Sequence, residues 1–242
     1  MAFLEDITPF YGTIEKNEFG QTLEAFLEEY DPKKYENPCS TTDVIVIRSN
    51  GEIKQVNTGL CVLLIKRRNH PGIGRYALPG GFVEIREDLI DAAKRELTEE
   101  TGLTNIAVEQ MYTWGEVFRD PRTRIITTSY LAIVDDTVDE VKAGDDACDA
   151  QWFDLEFQKT SSEILTSDEN RRQRRKDIYQ LILSSQEESL HFDATICVSY
   201  YAYGILKEVD YQVLDNSGLA FDHPRMIVQA LLSIEKRIRE DN

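Results

Sequence analysis

The chain has 242 residues, of which 41% are hydrophobic and 29% are charged, a composition that excludes a disordered or fibrous protein. Asp and Glu number 44 against 27 Lys and Arg, a formal charge of -17, so nucleic acid and anionic membrane surfaces are not expected partners. The four cysteines form no Cys-x-x-Cys pair, and no apolar stretch reaches the ~18 residues of a membrane span. These features favour a cytoplasmic location.

The first third of the chain predicts one short helix, two strands and a long loop. Residues 21–30 space their apolar side chains helically and end at an Asp-Pro pair. Two β-rich runs follow at 43–48 and 59–67, and the second alternates so little that we expect it to be buried on both faces. Residues 68–84 are rich in glycine and proline, which indicates a loop whose backbone conformation serves a function.

The remaining chain predicts further strands around a central helix. That helix runs from Asp88 to Thr101, with Asp88 as its N-cap and Gly102 as a left-handed C-cap. The later elements are predicted as strands at 106–118, 123–134 and 150–155, a helix with a basic first half at 168–185, a hairpin at 189–204 and 207–215, and a terminal helix at 223–238.

The central helix carries acidic residues on the face that its first turns commit to burial. Because steps of three and four residues return to one helix face, a single face presents Leu89, Ala92, Ala93, Glu96 and Glu100. A solvated flank, on which Arg95 pairs with Glu99 at i,i+4, is one interpretation. The other is a divalent cation, because Mg²⁺ takes oxygen ligands and compensates clustered carboxylates near a core.

The same residues resemble the signature of the Nudix hydrolase family, G-x5-E-x7-R-E-U-x-E-E-x-G-U, in which U is bulky and aliphatic. The signature is met at every fixed position, by Gly81, Glu87, Arg95, Glu96, Leu97, Glu99, Glu100, Gly102 and Leu103. The resemblance implies an α+β fold, the Nudix-type α-β-α sandwich with a mixed sheet, here with an inserted helix and β-hairpin element. It also implies hydrolysis of a nucleoside diphosphate linked to another group, with Mg²⁺ or Mn²⁺ as cofactor.

The resemblance also implies a role for each residue of the signature. Glu96 and Glu100 are expected to be metal ligands, and Glu99 a further ligand or the residue that organises the attacking water. The carbonyl of Gly80 is a possible additional ligand. Arg95 is expected to orient a glutamate and Glu87 to brace the start of the helix, although a carboxylate there also complements the helix dipole. Metal ions on a diphosphate neutralise its charge and acidify a water.

Stretches outside the signature resemble one subgroup of the family, which contains ADP-ribose pyrophosphatases and ADP-ribose-sensing regulators of NAD metabolism. The resemblance covers residues 24–155 and 216–238 and includes the segments RDPRTRII and GLAFDHPRMI. It implies an enzyme with a small nucleotide substrate, either ADP-ribose, cleaved to AMP and ribose 5-phosphate, or a neighbouring dinucleotide such as NADH or a diadenosine polyphosphate. The alternative is a binding protein that senses ADP-ribose and contacts DNA or a protein through the insertion.

Several residues outside the signature are candidates for substrate binding. Arg119 and Arg122 flank a turn and could clamp phosphates, because guanidinium groups match phosphate oxygens. Base-stacking candidates are Tyr76, Trp114 and Phe118. Arg67 and Arg68 are strand-end charges by the simplest interpretation. Candidates for a general base are Asp145, Asp146 and Glu116, and His223 is a further possible site residue.

The domain organisation predicted from these patterns has four parts. They are an N-terminal helical segment at 1–38, a catalytic core at 39–155, an insertion at 156–215 and a C-terminal helix at 216–242. The insertion contains the basic run RRQRRK at 171–176, for which a solvated face and a DNA contact are both open. Its aromatic hairpin offers more apolar surface than an isolated ribbon can bury. We therefore expect a homodimer.

Overall fold

The computed structural model describes residues 3–138, 141, 147–166, 173–185, 189–203 and 206–240. The chain divides into two compact units, residues 1–37 and 38–242. In the first unit, a short 3-10 helix spans Thr8–Phe10 and helix α1 spans Leu23–Glu29. The Thr22 side chain caps α1 by accepting a hydrogen bond from the Ala25 N–H. The helix predicted at 21–30 is therefore confirmed.

The second unit is built on one mixed sheet, which has ten strands in the described part of the chain. In chain order the strands are β1 (Cys39–Ser49), β2 (Leu60–Arg67), β3 (Tyr76–Ala77), β4 (Gly80–Phe82), β5 (Glu109–Trp114), β6 (Ile125–Asp135), β7 (Ala147–Thr166), β8 (Gln173–Ser185), β9 (Leu190–Tyr203) and β10 (Leu206–Asn216). Their spatial order is β10-β9-β8-β7-β2-β1-β6-β5, with β3 paired to β2 and β4 paired to β1. Strands β1 and β6 are parallel, and the other pairs are antiparallel.

Helices α2 (Leu89–Thr101) and α3 (His223–Glu240) cover the two faces of this sheet. Along β1, Val44 and Val46 pack in the same cluster as Ala93 and Leu97 of α2. The intervening Ile45 and Ile47 belong to the cluster that contains α3. Because both faces are covered, the strand is apolar at consecutive positions. The predicted α+β fold with an α-β-α sandwich and a mixed sheet is confirmed.

Helix α2 has the predicted boundaries and ends as expected. Gly102 adopts φ 75°, and its N–H bonds to the Thr98 carbonyl at 2.9 Å, which closes the last turn. Ala92 and Ala93 are fully buried against the sheet. Leu89, however, is 37% exposed, so the expectation that it faces the core is wrong. The contact with the sheet begins one turn later, at the two alanines.

The segment predicted as a helix at 168–185 forms strand β8 where the structure describes it. Buried and half-buried side chains alternate from residue 177 to residue 185, with Tyr179, Leu181 and Leu183 in the core that contains α3. A period of two is the signature of a strand, and pairing with β7 and β9 satisfies the backbone. The prediction of an inserted helix is therefore wrong, whereas the predicted hairpin is formed by β9 and β10.

Helix α3 confirms the predicted terminal helix. Its stripe of Ile227, Leu231 and Ile234 is buried in the larger core cluster. Within the described ranges, no helix has both the length and the apolar character needed to cross a membrane.

We predict that Leu181→Ala lowers the free energy of unfolding by about 2–5 kcal/mol, because it leaves a cavity where a fully buried side chain packs under α3. Urea denaturation followed by circular dichroism measures the change. Leu214→Ala, at a position on β10 that is 52% exposed, is the matched control and should change stability little. Equal losses in the two variants would contradict the burial of the β8 face.

Candidate active site

A cleft of about 270 Å³ lies where α2 meets the ends of β1, β2 and β4. The acidic residues that line it are Asp43, Glu96, Glu99, Glu100 and Asp120. The basic residues that line it are Arg67, Arg68, Arg95, Arg119 and Arg122. In a chain with a charge of -17, this is a local concentration of guanidinium groups.

The two glycines of β4 lie very close to neighbouring elements, Gly81 to α2 and Gly80 to β1. A Cβ atom on Gly81 would lie 2.5 Å from the carboxyl carbon of Glu96. A Cβ atom on Gly80 would lie 2.0 Å from the carbonyl oxygen of Thr42 on β1. Backbone atoms leave no room for a Cβ on Gly80, whereas a Cβ on Gly81 would displace the Glu96 carboxylate from its place.

Glu100 is a buried carboxylate beside this glycine pair. It is 6% exposed and accepts a hydrogen bond from the Gly80 N–H at 2.8 Å. Burial raises the pKa of Glu100 to about 8, and the negative charges of Glu96 and Asp43 act in the same direction. Burial also raises the pKa of Glu96. The cleft therefore holds carboxylates whose charge the surrounding protein does not fully compensate.

Arg95 links the glutamates of α2 to one another. Its guanidinium donates to both carboxylate oxygens of Glu87, at 2.8 and 2.9 Å, and to Glu96 at 2.7 Å and Glu99 at 2.9 Å. It also donates to the Phe82 carbonyl at 3.0 Å. The hydrogen bonds to Glu87 come first among the causes that raise the pKa of Arg95. Arg95 and Glu87 thus have the contacts that an orienting residue and a brace require.

These residues fit a hard divalent cation by the chemistry of their donors. Carboxylate oxygens and a backbone carbonyl are the ligands that Mg²⁺ and Mn²⁺ prefer, and the raised pKa of Glu100 marks a place where a positive charge is favourable. Among the residues that the structure describes, no three acidic, histidine or cysteine side chains already converge to hold an ion. Glu96 and Glu99 are instead paired with the guanidinium of Arg95.

The guanidinium side of the cleft is held by aspartates. Arg119 makes a bidentate contact with Asp222, at 3.1 and 2.8 Å, and Arg122 makes one with Asp120, at 3.0 and 2.9 Å. Burial alone would raise the pKa of Asp222, but Arg119 and then other nearby cationic groups bring it below its ordinary value of 3.8. Both predicted phosphate-binding arginines therefore line the cleft.

His223, at the start of α3, is buried and lines the same cleft. Its Nδ1 accepts a hydrogen bond from the Leu78 N–H at 2.8 Å, so in the neutral ring the proton is on Nε2. Burial lowers the pKa of His223, which favours this neutral form. Its Nε2 lies 3.7 Å from Asp43. His223 therefore connects α3 to the loop that precedes the glycine pair.

The structure does not bring the predicted stacking residues to the cleft. Tyr76 is 2% exposed and packs against Phe153 and Phe192 in the core. Trp114 is 1% exposed, and Phe118, although 97% exposed, is not among the lining residues. The sequence could not separate these aromatics from Phe82 and Phe221, which do line the cleft. All five are aromatic, and only the tertiary fold assigns them to core or surface.

Of the candidate general bases, the structure describes Glu116 alone. Both carboxylate oxygens of Glu116 bond to Arg225, at 2.9 and 2.8 Å, and Glu116 does not line the cleft. Asp145 and Asp146 lie outside the described residues. Sequence reasoning missed Asp43, which does line the cleft. The sequence feature that could have identified Asp43 is its position as a charged residue directly before the apolar run VIVI.

Comparison with known proteins gives consistent results. The family model of the NUDIX domain matches residues 38–170. An ADP-ribose pyrophosphatase of Methanocaldococcus jannaschii is 38% identical over 143 residues, which cover 57% of this chain and 78% of that protein. The ADPR responsive transcriptional repressor NtrR of Acinetobacter baylyi is 37% identical over 114 residues, 46% of this chain and 43% of the repressor.

A solved structure agrees over more of the chain. A MutT/nudix family protein from Enterococcus faecalis superposes with a TM-score of 0.61 at 29% sequence identity. The match covers 89% of this chain and 70% of that protein. The similarity of fold therefore extends beyond residues 38–170.

We predict that Asp222→Asn lowers the free energy of unfolding by about 3 kcal/mol at pH 7, because it leaves the buried Arg119 and Arg225 without their shared carboxylate. The pKa of Asp222 is below 3.8 in the folded protein, so its contribution is complete above that pH and is lost as the pH falls further. The difference in the free energy of unfolding between parent and variant should therefore become smaller in acid. Urea titrations at several pH values measure it, with the exposed Asp210→Asn as control. A difference that grows in acid would contradict the assignment.

Proposed function

Because the chain belongs to the NUDIX domain family, we propose that it is a pyrophosphohydrolase that cleaves ADP-ribose to AMP and ribose 5-phosphate. The substrate is supported by the pyrophosphatase relative, of which this chain covers 78%. The observation that carries the proposal is a cleft in which the buried Glu100 and the half-buried Glu96 of α2 face a set of guanidinium groups. A diphosphate needs both, since its oxygens bind cations and its phosphorus must accept an oxygen nucleophile.

In this proposal a divalent cation, Mg²⁺ or Mn²⁺, binds to Glu96, Glu99, Glu100 and the carbonyl of Gly80. Such an ion, when bound, neutralises diphosphate oxygens and lowers the pKa of a coordinated water. Other residues of the chain position the carboxylates that would hold this ion. Gly81 gives the Glu96 carboxylate room, and Arg95 restrains the glutamates through charge-assisted hydrogen bonds.

The basic side of the cleft receives the substrate. Arg119 and Arg122 contribute guanidinium groups that match phosphate oxygens, and the bidentate contacts with Asp222 and Asp120 fix their orientation. Phe82 is 46% exposed on the wall of the cleft, where it offers a ring face to the base or a ribose. Tyr76, Trp114 and Phe118 are not part of this proposal.

An ADP-ribose sensor is the second candidate, because the Acinetobacter baylyi repressor is among the relatives. The complete set of Arg95, Glu96, Glu99 and Glu100 supports catalysis instead, since a sensor needs affinity and not activation of a water. The basic run contributes Arg174, Arg175 and Lys176 to β8, where Arg175 pairs with the buried Asp177. That pairing supports a structural role for Arg175.

We predict that Glu100→Gln lowers kcat for ADP-ribose by at least about 100-fold in the presence of Mg²⁺ or Mn²⁺, while the variant stays folded. The products are identified by chromatography for a panel of nucleoside diphosphate derivatives. Glu163→Gln removes an exposed carboxylate on β7 and should leave turnover unchanged.

Two outcomes would contradict the proposal. Full activity of Glu100→Gln would show that hydrolysis does not require this carboxylate. Absence of turnover by the parent with every substrate and either ion, together with a salt-sensitive shift of a DNA fragment, would favour the sensor.

We also propose a homodimer, formed through the β10 end of the sheet. β10 is the last strand in the order, so one of its edges has no neighbour within the described chain. Light scattering at micromolar concentration should then give about twice the chain mass of 27.8 kDa. A result equal to the mass of one chain would exclude this assembly.

We also propose that the protein is located in the cytoplasm. The cysteines whose side chains the structure describes, Cys39, Cys61 and Cys197, are free thiols. Free thiols persist in a reducing compartment.

A further inference from the structure

The residue that precedes α3 by two positions has an unusual backbone conformation. Phe221 adopts φ 48°, in the left-handed region, which is unfavourable for a bulky aromatic side chain. It lines the active-site cleft, although it lies about fifty residues beyond the matched range 38–170. Strain of this kind persists where the surrounding structure requires it and is concentrated at functional sites.

Phe221 lies beside the guanidinium of Arg67, the last residue of β2. The guanidinium carbon is 5.0 Å from the centre of the Phe221 ring, a cation-π distance. The Arg67 Nε donates to the Pro71 carbonyl at 2.8 Å. Within the described ranges, no side chain or carbonyl accepts a further hydrogen bond from the guanidinium of Arg67. Its side chain is thus oriented by the loop and the ring, with donors left for a ligand.

A second guanidinium lies near the same ring. Arg122 is 5.9 Å from the centre of Phe221 and 5.3 Å from that of Phe82. Burial lowers the pKa of Arg67 and the positive charge of Arg122 lowers it further, whereas the negative charges of Glu100, Asp120 and Asp43 act in the opposite direction. Two positive charges repel each other in a partly buried cleft, and an anion that binds to both of them removes this repulsion.

We propose that Arg67 and Arg122, positioned by the Phe221 ring, form a binding site for a phosphate monoester dianion, the leaving product of the reaction. This inference rests on the proposed hydrolysis. It assigns to Arg67 a role beyond that of a strand-end charge.

The charges of the reaction explain why two guanidiniums suit the leaving product. In the substrate each phosphoryl group carries one negative charge. The water oxygen forms a bond to one phosphorus, the bond from that phosphorus to the bridging oxygen breaks, and the electron pair stays on the bridging oxygen. The protons of the water pass to the solvent, and each product becomes a monoester with a charge near -2. A site with two positive charges therefore binds the departing group more tightly than the intact substrate, which lowers the barrier.

Calorimetric titration in EDTA tests this site without the metal. AMP, ribose 5-phosphate and inorganic phosphate are titrated separately into the parent, Arg67→Met, Phe221→Gly and the control Lys54→Met, which removes an exposed charge outside the cleft. Glycine adopts a positive φ freely, so Phe221→Gly removes the ring without adding backbone strain. We expect at least one monoester to bind the parent and Lys54→Met alike, and to bind Arg67→Met about tenfold or more weakly and Phe221→Gly several-fold more weakly.

Kinetics of the metal-loaded protein provide the second readout. Arg67→Met should lower kcat more than it changes KM, because the contact strengthens as the leaving group departs. A merely structural role would not give this split.

The outcomes separate this inference from the proposed function. Undetectable monoester binding by the parent at millimolar concentration, or equal binding by the parent and Arg67→Met, would overturn the site even if ADP-ribose is hydrolysed. Monoester binding that is lost in Arg67→Met and Phe221→Gly, in a protein that hydrolyses no diphosphate, would keep the anion site and reject the hydrolase.

Discussion

The close approach of α2 to the backbone of β4 is the constraint on which the site depends. Without a side chain at Gly81, the helix can place Glu96 against the strand, and without one at Gly80 the strand can approach the backbone of β1. The hydrogen bond from the Gly80 N–H to Glu100 then holds a carboxylate in a place where burial disfavours its charge. Arg95 compensates the charges of the neighbouring Glu96 and Glu99 from the more exposed side of the helix. The packing that stabilises the helix thus also prepares a place for a cation.

The start of α3 provides the other half of the cleft through three consecutive residues. The Phe221 ring lies within 6 Å of two guanidinium groups. Asp222 accepts hydrogen bonds from Arg119, and His223 accepts one from the Leu78 N–H. Each contact joins a segment far away in the sequence. The position of the active-site loop therefore depends on a helix outside the range that the family model matches. This dependence is consistent with the wider extent of the structural similarity.

The strands β7 to β10 enlarge the molecule without reaching the cleft. β7 continues from the pair with β2 into the pair with β8, so the additional strands extend the same sheet and share the core under α3. Within this extension, Arg175 of β8 and Lys159 of β7 both contact the buried Asp177 of β8. The extension therefore adds to the core under α3, and none of its described residues lines the cleft.

The sequence by itself determined the elements and residues whose pattern is local. The spacing of Gly81, Arg95, Glu96 and Glu100 defines a helix and its acidic face, because helical geometry relates residues three and four apart. Only the tertiary structure decided the identity of β8, since its alternating side chains become buried through pairing with distant strands and packing under α3. It also decided which aromatic and acidic residues reach the cleft, including Asp43. Their selection depends on contacts between segments that are far apart in the chain, and local periodicity carries no information about such contacts.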